Sequence, residues 1–181
     1  MTRALFLDRD GIINHEVGYL YRSVDVLWVD GIFSLSRAAI SLGYKLVVIT
    51  NQSGIARGFY SETDFHALMA FISAEFLAQG APLSAVYFCP FHPTHGVGPY
   101  KKEHPDRKPG PGMLLRAAAD LSLDLPNSIL LGDRCSDLAA ANAAHLRQAF
   151  LLLGTEPGPC PGDYRPIQHL SEAEAWLTAN P

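Results

Sequence analysis

Apolar and polar positions in this chain alternate in blocks rather than residue by residue. Short apolar runs at Ala4–Leu7, Lys45–Thr50, Ala85–Phe88, Ser128–Leu131 and Gln148–Leu153 predict strands. The runs "KLVVIT" and "SILLGD" lack polar alternation, as parallel strands covered on both faces do. Helical spacing between them predicts a helix over Ile32–Leu42, stopped by Gly43. A second opens at the N-cap Ser61, with Asp64 three residues on, and runs to about Gln79. Gly112–Leu123, Ser136–Ala144 and Glu172–Ala179 complete the helices. Asn14–Asp30, Gln52–Tyr60 and Cys89–Gly112 read as irregular.

Strand and helix thus alternate almost throughout. The pattern predicts an α/β fold: a doubly wound, Rossmann-like, mostly parallel sheet with helices on both faces. With 181 residues the chain is long enough for one well-buried core, so residues 1–181 are expected to form a single domain. Only a short stretch separates Asp10 from the helix near Ile32, and loop plus helix follow Thr50, so no inserted cap domain is expected.

Composition narrows the function classes. A net charge of −4 lacks the basic surplus of a nucleic-acid binder. No apolar run approaches a membrane span, and the N-terminal stretch is too short for a signal-peptide core. The cysteines are Cys89, Cys135 and Cys160, an odd count without paired spacing; this predicts a reducing compartment, most simply the cytoplasm.

In doubly wound sheets, ligands gather at the carboxyl ends of strands. Three candidate strands run into polar residues there. "FLDRDG" places Asp8 and Asp10 two apart, so both carboxylates should project to one side of a strand end, with Gly11 turning the chain away. "VVITNQSG" puts Thr50 and Asn51 at a second strand end, where hydroxyl and N–H groups can donate to phosphate oxygens. "LLGDRCSD" brings Asp133 and Asp137 to a third; Asp133 with Asp8 offers hard oxygen ligands for Mg²⁺. "DRKPGPG" adds Arg107 and Lys108 on a Pro-stiffened loop, where Lys108 can neutralise a phosphoryl group. Taken singly, each piece also reads as an ordinary turn, cap or solvated charge.

In this order the four pieces resemble the haloacid dehalogenase superfamily of phosphotransferases. The resemblance spans residues 5–137, with Ile12 standing where Thr or Val is commoner. "FLDRDGIIN", Gly18-Tyr19, "VVITNQSGIARG", "CPFHP" and "RKPGPGM" resemble more closely the small phosphatases of D-glycero-D-manno-heptose 1,7-bisphosphate and their histidinol-phosphatase relatives. The resemblance implies Asp8 as nucleophile, Asp10 as general acid and base, and Thr50 and Lys108 as phosphoryl binders. Mg²⁺ is implied on Asp8, the Asp10 carbonyl and Asp133. A substrate wall is implied from Glu16, Val17, Gly18, Tyr19, Asn51, Gln52, Ser53, Arg107 and Arg134, with Arg107 toward the sugar or distal phosphate. The implied partner is a small sugar bisphosphate, and the implied state is a monomer.

One feature departs from these relatives. Many carry a structural zinc on Cys-x-His and Cys-x-Cys before the Arg-Lys-Pro segment. Here Cys89 is retained, Phe91 takes the His position, and the second pair reads His104-Pro-Asp106. An alternative set of Cys89, His92, His95 and His104 would have to converge tetrahedrally, so no zinc is expected. Two rival functions share the pattern. Histidinol phosphate is the rival substrate, for which Glu16 could meet a cation, whereas Arg57, Arg107 and Arg134 favour a second anion. A receiver-like binding module lacks the acid/base partner two residues after its phosphorylated Asp, which Asp10 supplies here.

Overall fold

The computed structural model describes residues 2–181. Six parallel strands form one sheet in the order β3-β2-β1-β4-β5-β6. They are β1 (Ala4–Leu7), β2 (Lys45–Asn51), β3 (Leu83–Cys89), β4 (Ile129–Gly132), β5 (Gln148–Leu152) and β6 (Arg165–Ile167). The helices are α1 (Ile32–Ser41), α2 (Ser53–Ala56), α3 (Glu62–Ala78), α4 (Gly112–Leu121), α5 (Cys135–Ala143) and α6 (Leu170–Ala179).

The central strands lack polar alternation because both their faces are covered. Leu5 and Leu7 of β1 pack with α1, α3 and α6 on one side. Ala4 and Phe6 point to the other side, among residues of α4 and α5. Leu46 and Val48 against Val47 and Ile49 repeat this division in β2. The chain leaves β1 toward β2 and β3, then crosses back to β4 on its other side. That reversal opens a crevice above the carboxyl end of β1, where such sheets bind ligands.

The expected strands and long helices are present, with ends shifted by one or two residues. Ser61 caps α3 as read: its Oγ accepts from the Asp64 N–H at 3.1 Å, and Asp64 Oδ2 accepts from the Ser61 N–H at 2.8 Å. Two elements escaped the pattern. Strand β6 contains Pro166 and lies at the sheet edge, where a missing N–H is tolerated. Helix α2 is one turn within a stretch expected to be irregular, too short to show a period.

The cysteine expectation is corrected. Cys135 at the start of α5 is bonded to Cys160, with S–S 2.03 Å, and Cys89 alone is free and buried. The two lie 25 residues apart in sequence, and the path of the chain after β5 brings them together. Among the described residues, no helix is long and apolar enough to cross a membrane.

Ser61→Ala removes the side-chain acceptor for the first turn of α3. It is expected to lower stability by about 1 kcal/mol, read as a reduced midpoint with unchanged slope in urea unfolding.

Candidate active site

Strand register assembles the site. Leu7 pairs with Val48 and with Leu131, so Asp8, Thr50 and Asp133 reach the same edge of the sheet. The Asp8 N–H donates to the Leu131 carbonyl at 3.0 Å, carrying the alignment one residue past β1. The structure corrects the reason for the Asp8–Asp10 arrangement. Strand β1 ends at Leu7, and residues 8–14 form a tight turn, with Ile13 N–H on Arg9 O at 2.8 Å and Gly11 N–H on Asn14 O at 2.7 Å. The turn, not the pleat, brings both carboxylates to one cleft. Gly11 sits at φ +91°, and a Cβ there would lie 2.2 Å from Asp133 Oδ2.

At the base of the cleft, Lys108 Nζ lies 2.9 Å from Asp8 Oδ1 and 2.5 Å from Asp137 Oδ1, and donates to the Ile49 carbonyl at 3.2 Å. Burial alone would lower this ammonium's pKa. The Asp137 and Asp8 carboxylates outweigh it and hold the pKa above its ordinary value. Burial pushes Asp8 up to about 8, with the Asp137 and Asp133 charges adding and Lys108 opposing. Burial likewise pushes Asp133 up to about 6, and Asp137 adds to it.

Asp10 is held differently. Arg9, 1% exposed, folds back onto it, with Nη2 at 2.7 Å from Oδ2 and Nε at 3.0 Å from Oδ1. Asn14 Nδ2 at 3.0 Å and Gln52 Nε2 at 3.1 Å complete the cradle. Gln52 also donates to Thr50 Oγ1 at 2.7 Å, and its Oε1 accepts from the Tyr60 hydroxyl. One amide therefore links the acid/base candidate to the phosphoryl-binding candidate. Asn51 Nδ2 donates to Lys108 O, and Lys108 N donates to Asn51 Oδ1, each at 3.0 Å. This reciprocal pair commits the Asn51 amide to the Lys108 backbone.

The expected substrate wall is assembled only in part. Glu16, Gly18 and Tyr19 line the cleft from the first long loop, and Gln52 and Ser53 line it from the end of β2 and the start of α2. Glu16 Oε1 accepts from Gly18 N–H at 2.9 Å, and Oε2 lies 3.4 Å from Arg134 Nη2. Arg107 lines the cleft with Nη1 donating to the Phe91 carbonyl at 3.1 Å. Val17 is exposed and lies outside the lining, because Gly18 turns the chain beside it at φ +86°. Asp133 sits beneath the cleft and opens instead toward a second hollow bounded by Gly11, Glu16 and Thr155. Arg9, Tyr60 and Asp137 also line the cleft, and the motif reading gave none of them a role. Only Asp137 had a signal, its place four residues after Asp133.

The donor set suits a hard divalent cation. Asp8, Asp133 and Asp137 bring carboxylate oxygens within 4.8 Å of one another, and both Asp133 oxygens are buried without a hydrogen-bond partner. Three buried carboxylates facing one ammonium leave negative charge that Mg²⁺ would balance. Asp137 joins this group by its side chain, whereas Asp10 turns its carboxylate to Arg9 and has its carbonyl left to offer.

Phe91, His104 and Asp106, at positions where the resemblance places zinc ligands, are engaged in other contacts. The His104 ring stacks on Phe91 at 4.6 Å, and its Nδ1 accepts from Asp106 N–H at 3.1 Å. Asp106 Oδ2 pairs with Arg116 Nη1 at 2.6 Å. The ring stack joins the two ends of this loop, and the Asp106–Arg116 ion pair ties it to α4.

The fold and these four converging segments define a haloacid dehalogenase-like hydrolase; a family model described as HAD-hydrolase-like matches residues 106–164. The chain belongs to the family of heptose-1,7-bisphosphate 7-phosphatases. It is 50% identical over 151 residues to the D-glycero-α-D-manno-heptose-1,7-bisphosphate 7-phosphatase of Burkholderia mallei, covering 83% of this chain and 80% of that one. It is 42% identical over 154 residues to the D-glycero-β-D-manno enzyme of Vibrio cholerae, covering 85% and 83%. Among solved structures it resembles D,D-heptose 1,7-bisphosphate phosphatase from B. bronchiseptica, complexed with magnesium and phosphate. That likeness has TM-score 0.84 and 26% identity, covering 99% of both chains.

Gly11→Ala forces a side chain toward Asp133 at a left-handed position. It is expected to cost about 1–3 kcal/mol of stability and to weaken Mg²⁺ binding, read by thermal unfolding with and without Mg²⁺. Asn51→Ala frees the Lys108 backbone. It is expected to lower kcat by roughly tenfold or more, with less effect on stability, read by steady-state kinetics beside urea unfolding.

Proposed function

We propose that this chain is a Mg²⁺-dependent phosphatase that removes the C7 phosphate of D-glycero-D-manno-heptose 1,7-bisphosphate, on the route to the lipopolysaccharide inner core. The observation that carries this reading is one nucleophile-competent carboxylate, Asp8, held against Lys108 at 2.9 Å, beside a separately cradled Asp10 on the same cleft. The names of the relatives at 50% and 42% identity support the substrate.

Asp8 attacks phosphorus, forming an aspartyl-phosphate as the bond to the sugar oxygen breaks. Asp10 gives its proton to that leaving oxygen and then takes one from the water that hydrolyses the acyl phosphate. The Arg9, Asn14 and Gln52 donors hold Asp10 in one orientation through both half-reactions. Thr50 Oγ1 accepts from Gln52, which leaves its own O–H to donate to a phosphoryl oxygen. Lys108 neutralises charge on the transferred group. Mg²⁺, on Asp8, Asp133 and the Asp10 carbonyl, with Asp137 near, would supply charge neutralisation between nucleophile and phosphate.

Histidinol phosphate is the weaker reading. Glu16, the residue that would meet its cation, already faces Arg134 at 3.4 Å. We further read residues 1–181 as one catalytic domain acting as a monomer, with no zinc in the Cys89–Gly112 loop. The cytoplasm follows on this reading from a highly charged substrate that crosses no membrane unaided; the cysteine count no longer supports it.

A phosphate-release screen with Mg²⁺ is expected to favour heptose 1,7-bisphosphate over fructose 1,6-bisphosphate and histidinol phosphate. Running both heptose anomers resolves the preference on which the two relatives differ. A screen in which no ester is hydrolysed would leave a binding module as the better reading. Asp10→Asn is expected to lower kcat by about 10²–10⁴-fold while Asp8 still accepts phosphate. Protein prepared without chelators is expected to hold far less than one zinc per chain by elemental analysis.

A further inference from the structure

Gln52 is buried, and every polar group of its amide is engaged. Its Nε2 donates to Asp10 Oδ2 at 3.1 Å and to Thr50 Oγ1 at 2.7 Å, and its Oε1 accepts from the Tyr60 hydroxyl. A side-chain amide fills the same space in two opposite orientations, which exchange its donors for its acceptor. One of them suits this place. Reversed, Oε1 would face the Asp10 carboxylate, acceptor against acceptor, and would draw the Thr50 hydroxyl hydrogen to itself. The Tyr60 hydroxyl would then face N–H donors with its own hydrogen unused.

Tyr60 is held from both sides. Phe59 before it is tied back to α2, its N–H donating to the Gly54 carbonyl at 2.9 Å, and Ser61 after it is the capped start of α3. The ring lies over Gly54, where a Cβ would stand 2.7 Å from Tyr60 Cζ, and it stacks on Tyr21 with centroids 5.7 Å apart. Burial pushes the Tyr60 pKa up to about 12, against the nearby Arg9 charge, so the hydroxyl keeps its hydrogen at working pH. A fixed ring with a retained hydrogen is a permanent donor aimed at Gln52 Oε1. The direction of the chain is then set from Tyr60 outward: phenol to amide oxygen, amide N–H groups to Asp10 and Thr50, and the Thr50 O–H to the cleft.

We propose that Tyr60 is a positioning residue for phosphoryl transfer: by donating to Gln52 it fixes the amide in the one orientation that frees the Thr50 hydroxyl hydrogen for the phosphoryl group and steadies Asp10 Oδ2. Tyr60 acts through Gln52 rather than on the substrate. Its contribution falls on the chemical step, because a donor aimed in advance meets the charge of the transition state without reorganising. Without the phenol hydrogen, Oε1 is a buried acceptor with no donor, and the amide gains by turning to take the Thr50 hydrogen instead. This assignment rests on the phosphatase reading above and holds for whichever sugar phosphate is the substrate.

The test is a double-mutant cycle on the Mg²⁺-loaded enzyme with heptose 1,7-bisphosphate. Tyr60→Phe keeps the ring and removes the donor. It is expected to lower kcat roughly 5- to 50-fold, the weight of a buried acceptor left unpaired, with KM within about threefold of the wild type. In the Gln52→Ala background, where there is no amide to orient, adding Tyr60→Phe is expected to leave kcat within about twofold. The Ki for orthovanadate, whose five-coordinate adduct mimics the transition state, is expected to rise in Tyr60→Phe along with the loss in kcat. That constant does not depend on how much of the protein folds, so it stands even if the variant is less stable. An unchanged kcat in Tyr60→Phe, an equal fall with and without Gln52, or an unchanged orthovanadate Ki overturns the assignment. A wild-type enzyme that hydrolyses no phosphate ester overturns the phosphatase reading itself, before any variant is compared.

Discussion

The contact of the Lys108 ammonium with Asp8 and Asp137 is the constraint around which this molecule is arranged. A lysine buried this deeply needs counter-charges in place, and two carboxylates at 2.9 and 2.5 Å supply them. The three residues come from the end of β1, the loop before α4 and the first turn of α5. Their meeting therefore requires correct register between β1 and β4, a fixed loop and a correctly docked helix. Removing one partner from such a group leaves an unpaired buried charge, typically a cost of about 3–5 kcal/mol. Even so the balance stays negative, because Asp133 adds a third carboxylate with neither oxygen bonded. Burial raises the Asp8 and Asp133 pKa values and the neighbouring carboxylates add to it; a divalent cation here would offset both.

Around this centre the two roles proposed for Asp8 and Asp10 are kept apart by environment. Asp8 faces an ammonium and two carboxylates at the bottom of the cleft. Asp10 is turned from that group by a buried arginine and two amides. Arg9, the residue between the two aspartates, does this by following the turn rather than the pleat. Gln52 ties Asp10 to Thr50, so the residues proposed for proton transfer and for phosphoryl binding share one hydrogen-bonded frame, braced by Tyr60. Geometry held this way favours catalysis through orientation, since little has to move when the substrate arrives.

Loops replace a cap in shaping the cleft, and each is fastened by different chemistry. The first long loop closes on itself through His15 N–H to Leu27 O and Val29 N–H to Ile13 O. The second is held by the Phe91–His104 stack and the Asp106–Arg116 pair. The chain after β5 is joined to the start of α5 by the Cys135–Cys160 bond, two residues from Asp133. Loops so anchored carry specificity residues while the sheet keeps the reacting groups in place.

Much of this was legible in the residues. Unbroken apolar runs set the strands, because strands covered on both faces need no polar positions. Ser61 with Asp64 marked the start of α3, because its capping bonds are local. The meeting of Asp8, Thr50 and Asp133 at one sheet edge was legible from their place at strand ends, whereas Lys108 stood out only through the resemblance of its loop segment. Other features were not legible. Strand β6 has an edge composition that any turn could share. The Arg9–Asp10 clasp depends on where β1 ends, and the Asn51–Lys108 pair joins residues far apart in sequence. The Cys135–Cys160 bond and the pairing of Arg134 with Glu16 depend on how the loops pack. Local pattern specifies what one segment can form by itself. Contacts between distant segments arise from the folded path of the whole chain, and those contacts decide which charges are compensated and which are left for a ligand.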